Sequence, residues 1–287
     1  MNKLATKERA AILGMMVEGV SIRAISRMTG ASKNTIVKLL ADAGNACSEY
    51  QDRTLRNLPC KRIQADEIWS FVYSKQKNVP KEKRGKFGIG DVWTWTTICA
   101  DTKLVPSWYV GMRDAASAHH IMQDVAKRLI NRVQLTTDGF HCYLDAVDAA
   151  FGQQIDYAML VKMYGTDPMG ERNYSPSICL SAESRIIRGN PDREHINTSY
   201  VERQNLNIRM GVRRFTRLTN VFSKKVENHI HALSIYFMHY NFVRIHQTIR
   251  CSPAMEAGVT DRLWSLADMV RIVDELKVTQ KTGASNA

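Results

Sequence analysis

The chain has 287 residues, of which 44% are hydrophobic, enough to bury a substantial core in more than one domain. Its formal net charge of +12 favours a polyanionic partner, most often nucleic acid. Neither a signal peptide nor a membrane span is expected, and six scattered cysteines offer no metal knuckle and no compact disulfide framework. We therefore expect a cytoplasmic protein with reduced thiols.

Residues 6–44 show the pattern of three short helices. Ser21 and Ser32 stand where they can cap the second and third helices, and Gly30 marks a tight turn between them. This spacing predicts a helix-turn-helix in an all-α DNA-binding domain at 1–45, with the third helix ending at Gly44. The alternative is a three-helix bundle that mediates protein contacts. The side chains expected to reach phosphates and base edges are Ser32, Lys33, Asn34, Thr35 and Lys38.

After a polar linker at 46–60, the hydrophobic period changes from helical to strand-like. Three successive strand patterns and then alternating helices and strands predict an α/β fold at 61–250, with a mixed sheet and flanking helices. Residues 163–198 are polar, rich in Gly and Pro, and interpreted as an insertion within this core. A C-terminal helix and a disordered tail are expected at 251–287.

Two helices are predicted after the insertion, a basic one at 199–218 and a long amphipathic one at 223–246. From Arg203 to Lys225 there are seven basic residues and no acid. A stretch with this charge fits a track for DNA phosphates. The residues of the track expected to contact DNA are Arg203, Arg209, Arg213 and Arg214.

Asp66 is the first candidate ligand for a divalent metal ion. Phosphodiester cleavage can use two such ions, and Mg²⁺ prefers hard oxygen ligands. Asp66 lies within the first strand among apolar residues, where an unpaired charge is costly, although an edge-strand acid facing water is the alternative. Its neighbour Glu67 competes with it, because successive strand residues point to opposite faces and only one is expected to enter a given site. Periodicity does not decide between the two.

Asp138 and Glu202 are the other candidate carboxylates. Asp138 ends a predicted strand, where α/β sheets gather their ligands, although Asp-Gly is also a common turn dipeptide. Glu202 begins the basic helix, and its neighbours Asn205 and Leu206 offer no salt bridge. A carboxylate in this place fits a metal site beside DNA. It also fits a solvated side chain that favours the helix dipole.

Four segments, taken in chain order, resemble the insertion sequence 1 family of DDE transposases from about residue 60 to 258: DEIWSFV, TTDG, YVERQNLNIR and YNFVRIHQTIRCSPAMEAGV. The resemblance implies an RNase H-like core in which Asp66, Asp138 and Glu202 are catalytic and bind metal, and it selects Asp66 over Glu67. It also implies two Mg²⁺ ions, with Mn²⁺ as a substitute. The chain departs from the family in the 63 residues between Asp138 and Glu202 and in the lack of a zinc-finger cysteine pattern.

The expected function is transposition. The protein would bind the terminal inverted repeats of an insertion sequence, free 3′ hydroxyls by Mg²⁺-dependent cleavage, and transfer them into target DNA. Its partners would be double-stranded DNA and further copies of itself in a homo-oligomeric synapse, with no role for a membrane. Two alternatives stay open. One is a nuclease that only hydrolyses DNA, and the other is a DNA-binding repressor or a catalytically degenerate transposase remnant.

Overall fold

The fold combines a mixed sheet with helices on both faces. A computed structural model describes residues 4–165, 178–216 and 220–285. Its helices are α1 (Thr6–Val17), α2 (Ile22–Thr29), α3 (Lys33–Thr54), α4 (Ala115–Ala126), α5 (Cys142–Phe151), α6 (Ser199–Gly211), α7 (Val226–Met238), α8 (Pro253–Glu256) and α9 (Leu266–Ser285). Its strands are β1 (Arg62–Val72), β2 (Gly90–Cys99), β3 (Trp108–Gly111), β4 (Val133–Asp138), β5 (Ile155–Gly165) and β6 (Ile178–Arg188).

The strands form one six-stranded sheet in the order β3–β2–β1–β4–β5–β6. β1, β2 and β3 pair antiparallel, β4 and β5 run parallel to β1, and β6 returns antiparallel to β5. An antiparallel three-stranded unit followed by parallel strands reached through helices is the RNase H-like arrangement. The predicted α/β fold with a mixed sheet and flanking helices is therefore confirmed, whereas a separate all-α domain before it stays a prediction. Because β1 and β4 are parallel, their carboxyl ends point toward the same edge of the sheet.

Side chains of β1 alternate between the two helical layers. Ile63 and Ala65 belong to a buried cluster that includes residues of α4 and α5, whereas Ile68 and Val72 pack with residues of α6 and α7. Helices on both faces explain why the strand is apolar on both sides. No helix in the described part of the chain is long and apolar enough to cross a bilayer.

The N-terminal helices begin as predicted, but α3 is longer than expected. Ser21 and Ser32 cap α2 and α3 by accepting hydrogen bonds from the backbone N–H groups of the first helical turns. The predicted end of the third helix at Gly44 is wrong, since α3 continues to Thr54 through much of the predicted linker. A Cβ at Gly44 would lie 2.4 Å from the Cβ of His231. This glycine therefore allows α3 to pack closely on α7 and does not end the helix.

The three N-terminal helices share one buried cluster with the sheet. The Ser234 hydroxyl on α7 donates a hydrogen bond of 2.7 Å to the carbonyl of Gly44, and the buried amide of Gln51 donates to the carbonyl of Ser234. Arg9 on α1 forms a 2.8 Å ion pair with Asp274 on α9. These contacts join α1 and α3 to the C-terminal half of the chain. A separate DNA-binding role for residues 1–45 stays a prediction.

Three features of the C-terminal half differ from the expectations. β6 lies in the segment 163–198, of which residues 166–177 are outside the described residues. The predicted basic helix ends at Gly211, because Val212 adopts an extended backbone with φ −100° and ψ 104°. The long amphipathic helix is shorter than predicted, since α7 ends at Met238 and a π-helical turn follows. α9 ends at Ser285, and the disorder expected for the tail stays a prediction.

Candidate metal centre

Asp66, Glu67 and Asp138 each bring a carboxylate oxygen into one group, in which these oxygens lie within 4.8 Å of one another. Asp66 and Glu67 are consecutive in β1, and Asp138 is the last residue of β4. The parallel register that pairs Ala65 with Thr137 brings the strand end beside Asp66. The expectation that only one of Asp66 and Glu67 would enter the site is therefore wrong. Asp138, at the end of the neighbouring strand, is within reach of both.

Negative charge is concentrated in this group. Burial, and then the charges of Glu67 and Asp138, raise the pKa of Asp66 to about 8. Burial and the charge of Asp138 raise the pKa of Glu67 to about 7, and burial also raises the pKa of Asp138. The ionised carboxylates are thus disfavoured where they stand, and a bound cation would relieve the repulsion. A donor set made only of oxygens suits Mg²⁺ or Mn²⁺.

Asp66 faces the helix α6. Its Oδ2 accepts a hydrogen bond of 2.8 Å from the side-chain amide of Asn205, and its Oδ1 accepts one of 2.8 Å from the backbone N–H of Glu67. The Oδ1 atom of Asn205 is buried and has no hydrogen-bond partner among the described residues. Both partners of Asp66 are neutral donors, so they orient the carboxylate without neutralising it.

Glu67 faces the opposite layer, where both of its oxygens are engaged. Oε1 accepts from Arg113 Nε at 2.7 Å, and Oε2 accepts from the Tyr143 hydroxyl at 3.0 Å. The guanidinium of Arg113 also lies 4.1 Å from the ring centroid of Phe140 and 4.0 Å from Oδ2 of Asp138. Glu67 is 1% exposed at its side chain, whereas Arg113 is 39% exposed. The Glu67 carboxylate therefore holds the guanidinium of Arg113 at the rim of the site.

Glu202 approaches the site from α6 and is 46% exposed at its side chain. It forms an ion pair with Lys162 of β5 and accepts a hydrogen bond of 2.5 Å from the Thr198 hydroxyl. Its oxygens are outside the group of three, yet its charge contributes to the raised pKa of Asp66 and of Asp138. Glu202 thus lies beside the predicted partners, and its role as a ligand stays a prediction.

Gln64 anchors α6 to β1 two residues before Asp66. It is 2% exposed, and its Oε1 accepts hydrogen bonds from the backbone N–H groups of Tyr200 at 2.9 Å and Val201 at 3.1 Å. These N–H groups belong to the first turn of α6, which receives no cap from the side chain of Thr198. A strand residue therefore caps the helix from outside and sets the position of Glu202 relative to Asp66.

Gln64→Met is expected to lower the free energy of unfolding by about 1–3 kcal/mol, because it keeps the volume of the side chain and leaves buried N–H groups without an acceptor. Urea denaturation of the metal-free protein measures the change. Gln123→Met, at an exposed position on α4, is the control and should change stability by less than about 0.5 kcal/mol. Equal stabilities for the two variants would contradict the anchoring role of Gln64.

The raised pKa values predict that the metal-free protein loses stability as the pH rises from 6.5 to 8. In this window the folded state holds protons on Asp66 and Glu67 that the unfolded chain has already released, so the free energy of unfolding falls with pH. Below pH 6.5 the lowered pKa values of the buried His229 and His239 act in the opposite direction. Thermal denaturation in EDTA should show a flatter profile for Asp66→Asn. A wild-type profile no steeper than that of the variant would refute the prediction.

The DNA contacts predicted in the third helix lie at the exposed start of α3. Lys33, Asn34 and Lys38 are exposed, and Lys38 is 3.4 Å from the Asp42 carboxylate. The hydroxyls of Ser32 and Thr35 bond to each other at 2.9 Å. The backbone N–H of Thr35 also bonds to Ser32 Oγ as part of the helix cap. All five side chains of this set are exposed, Ser32 and Thr35 among them, and DNA binding by them stays a prediction.

The predicted basic track is divided by the end of α6. Arg203 is exposed, and Arg209 and Arg213 are half-buried. Arg214 is half-buried as well, and its Nε donates a hydrogen bond of 2.6 Å to the Ser223 hydroxyl. Burial lowers the pKa of Arg214 to about 10. This residue therefore connects two parts of the chain, and Arg203 is the most accessible of the four.

Arg113 is the functional candidate that the sequence did not reveal. It follows β3, which runs parallel to β1 because both are antiparallel to β2. The carboxyl ends of β1, β3 and β4 thus point toward the same edge of the sheet, where ligand sites of α/β folds gather. A search for charged residues just after each predicted strand would have found it. Asn205 and Gln64 carried no comparable local signal.

Comparisons with known proteins give weak similarities. No family model and no curated protein matches the sequence. The piggyBac transposase synaptic complex with hairpin DNA is similar with a TM-score of 0.38 and 8% identity, over 95% of this chain and 72% of that one. The Mos1 strand transfer complex is similar with a TM-score of 0.24 and 12% identity, over 55% of this chain and 59% of that one. The Mos1 mariner paired end complex with Mn is similar with a TM-score of 0.20 and 10% identity, over 52% of this chain and 57% of that one. The chain thus spans less than two thirds of these Mos1 chains. The resemblance to the insertion sequence 1 family stays a prediction.

Proposed function

We propose that this chain is a DDE-type DNA transposase similar to the insertion sequence 1 family, with Asp66, Asp138 and Glu202 as its metal-binding carboxylates. The observation that carries the proposal is the meeting of Asp66 and Asp138 on neighbouring parallel strands of an RNase H-like sheet. Their pKa values are raised, and the hydrogen-bond donors to Asp66 are uncharged. Such a group is suited to divalent cations.

Each residue of the site has a distinct part in the proposed chemistry. Two Mg²⁺ ions, with Mn²⁺ as a substitute, would supply stabilisation of the attacking and leaving oxygens of an in-line displacement. Asp66 and Asp138 would hold the ions from the strands, and Glu202 from α6. Asn205 orients the carboxylate of Asp66. Arg113, held by Glu67 beside Asp138, would donate to a nonbridging phosphate oxygen.

The proposed substrate is double-stranded DNA that carries terminal inverted repeats, bound in part by the start of α3. Water attacks the phosphorus at the element end, and the bond from that phosphorus to the 3′ oxygen breaks, which frees a 3′ hydroxyl. This hydroxyl then attacks a phosphorus of the target DNA, whose own 3′ oxygen leaves. Because two element ends must be joined in one event, we propose a homo-oligomer as the active form.

The experiment that tests this function uses a labelled duplex with the inverted repeat that flanks the coding gene and a supercoiled plasmid as target. In Mg²⁺ we expect nicks at the 3′ ends of the element and products joined to the plasmid, and neither in EDTA. Nicks without joined products would favour a nuclease that only hydrolyses DNA. Binding without cleavage in Mg²⁺ or Mn²⁺ would favour a repressor or a degenerate remnant, and either result would overturn the proposal.

A further inference from the structure

Residues 74–89, in the connection between β1 and β2, form a basic loop with one acid, Glu82, and a net charge of +5. Its basic residues are Lys75, Lys77, Lys81, Lys83, Arg84 and Lys86. Apart from the half-buried Lys83, all of them are exposed. Within the described residues, no ion pair is formed by Lys75, Lys77, Lys81 or Lys86. Their charges are therefore available to a polyanion.

The basic loop is held in place at several points. The backbone N–H of Gln76 donates to Asp91 Oδ1 at 3.2 Å, and the N–H of Asp91 donates back to the Gln76 side chain at 3.3 Å. Val79 is 2% exposed and fixes the middle of the loop. A Cβ at Gly88 would lie 2.6 Å from Val226 of α7, so the glycine permits a close approach there. Because these contacts order the loop before any partner arrives, less entropy is lost on binding.

A second short segment, residues 222–225, extends the same basic surface. The backbone N–H of Tyr73 donates a hydrogen bond of 2.8 Å to the carbonyl of Ser223, and the rings of Phe71 and Phe222 lie 5.0 Å apart. Lys224 and Lys225 follow directly and are exposed. The basic loop and this segment therefore present their lysines side by side at the carboxyl end of β1.

The distance from this surface to the carboxylates follows from the strand. Six residues separate Asp66 from Val72 at the end of β1, which corresponds to about 20 Å at 3.3 Å per strand residue. Along one strand of duplex DNA, the same length covers about six base pairs at 3.4 Å each. Both sites lie toward the same edge of the sheet, so one straight duplex can reach both.

We propose that the basic loop, together with Lys224 and Lys225, binds the phosphates of duplex DNA about six base pairs from the phosphate that is cut. The proposal rests on the proposed function and adds a second contact region on the catalytic core, apart from α3. Duplex DNA is the ligand for three reasons. The surface is preorganised, it carries unpaired positive charge, and its distance from the carboxylates equals the length of about six base pairs of duplex. Recognition here is of phosphates and not of bases, so it is independent of sequence.

The salt dependence of DNA binding tests the proposal without any cleavage. Affinity of the full chain for a 40-base-pair duplex is measured in EDTA at a series of salt concentrations. Lys81→Gln with Lys86→Gln should make the slope of log K against log salt shallower by about 1.8, since each lost phosphate contact removes about 0.9. At 0.1 M salt the affinity of this double variant should be roughly sixtyfold below that of the wild type, because the slope difference of about 1.8 acts over the decade of salt from 1 M to 0.1 M. The arginine pair Lys81→Arg with Lys86→Arg should keep the wild-type slope.

Lys61→Gln with Lys127→Gln is the matched control. Both lysines are exposed and have no ion pair among the described residues, and Lys61 stands at the opposite end of β1. This pair should leave the slope unchanged. If the wild type binds and all glutamine variants share its slope, the loop does not contact DNA and the inference fails alone. If the wild type does not bind duplex DNA at any salt concentration, the proposed function fails, and the inference fails with it.

Discussion

Asp138→Asn is expected to reduce Mg²⁺-dependent DNA cleavage by about a thousandfold while DNA binding is retained. A metal ligand contributes several kcal/mol to stabilisation of the transition state, and each 1.36 kcal/mol corresponds to a factor of ten. The substitution keeps the size of the side chain. An amide oxygen can still accept the 3.0 Å hydrogen bond that the N–H of Phe140 donates to Asp138 Oδ1. The loss should therefore come from the metal site and not from the fold.

Asp145→Asn is the control for this effect. Asp145 is exposed on α5, seven residues after Asp138, and its substitution changes the formal charge by the same amount. Single-turnover cleavage rates and gel-shift affinities are compared for the three proteins. Wild-type rates for Asp138→Asn would contradict its role, as would an equal loss in Asp145→Asn.

The second large effect separates Glu202 from Glu67. Glu202→Gln should reduce cleavage by about a hundredfold or more and change stability by less than about 0.5 kcal/mol, because the side chain is 46% exposed. Glu67→Leu should lower the free energy of unfolding by about 1–3 kcal/mol, because the buried hydroxyl of Tyr143 loses its acceptor. Arg113 would lose its partner in the same variant.

The isosteric variant Glu67→Gln decides which glutamate completes the metal site. The proposal expects Mn²⁺ affinity to fall more in Glu202→Gln than in Glu67→Gln, since both oxygens of Glu67 are already engaged. The Mn²⁺ affinities and cleavage rates of both variants are measured at pH 8. If Glu67→Gln loses Mn²⁺ binding while Glu202→Gln keeps it together with wild-type cleavage, Glu67 is the third ligand and the assignment of Glu202 is wrong.

The candidate site could be predicted only where its signal is local. A charged residue inside an apolar strand pointed to Asp66, and a strand ending in Asp-Gly pointed to Asp138. The part played by Glu67 depends on Arg113 and Tyr143, which follow it by 46 and 76 residues. Contacts between residues so far apart in the sequence do not affect the alternation of apolar residues along β1. The choice between Asp66 and Glu67 therefore required either a family resemblance or a structure.

The same limit explains the errors in the fold. Successive strands followed by alternating elements predicted the mixed sheet, because this pattern repeats over many residues. The low helix propensity of glycine predicts a helix end at Gly44. In the structure α3 continues, and the absence of a side chain at Gly44 lets the helix pack closely against His231. β6 was not predicted because its side chains are largely exposed, and an exposed strand has no apolar alternation.

Binding of Mn²⁺ is the most direct test of the central claim, that Asp66 and Asp138 hold divalent ions. Electron paramagnetic resonance of free Mn²⁺ gives the affinity of the full chain at pH 8, without DNA and without turnover. The account predicts that the wild type binds Mn²⁺ and that the double variant Asp66→Asn with Asp138→Asn binds it more than about a hundredfold more weakly, because substitution of residues that only orient metal ligands already costs about 10–100-fold. Equal Mn²⁺ affinity for the two proteins would contradict it.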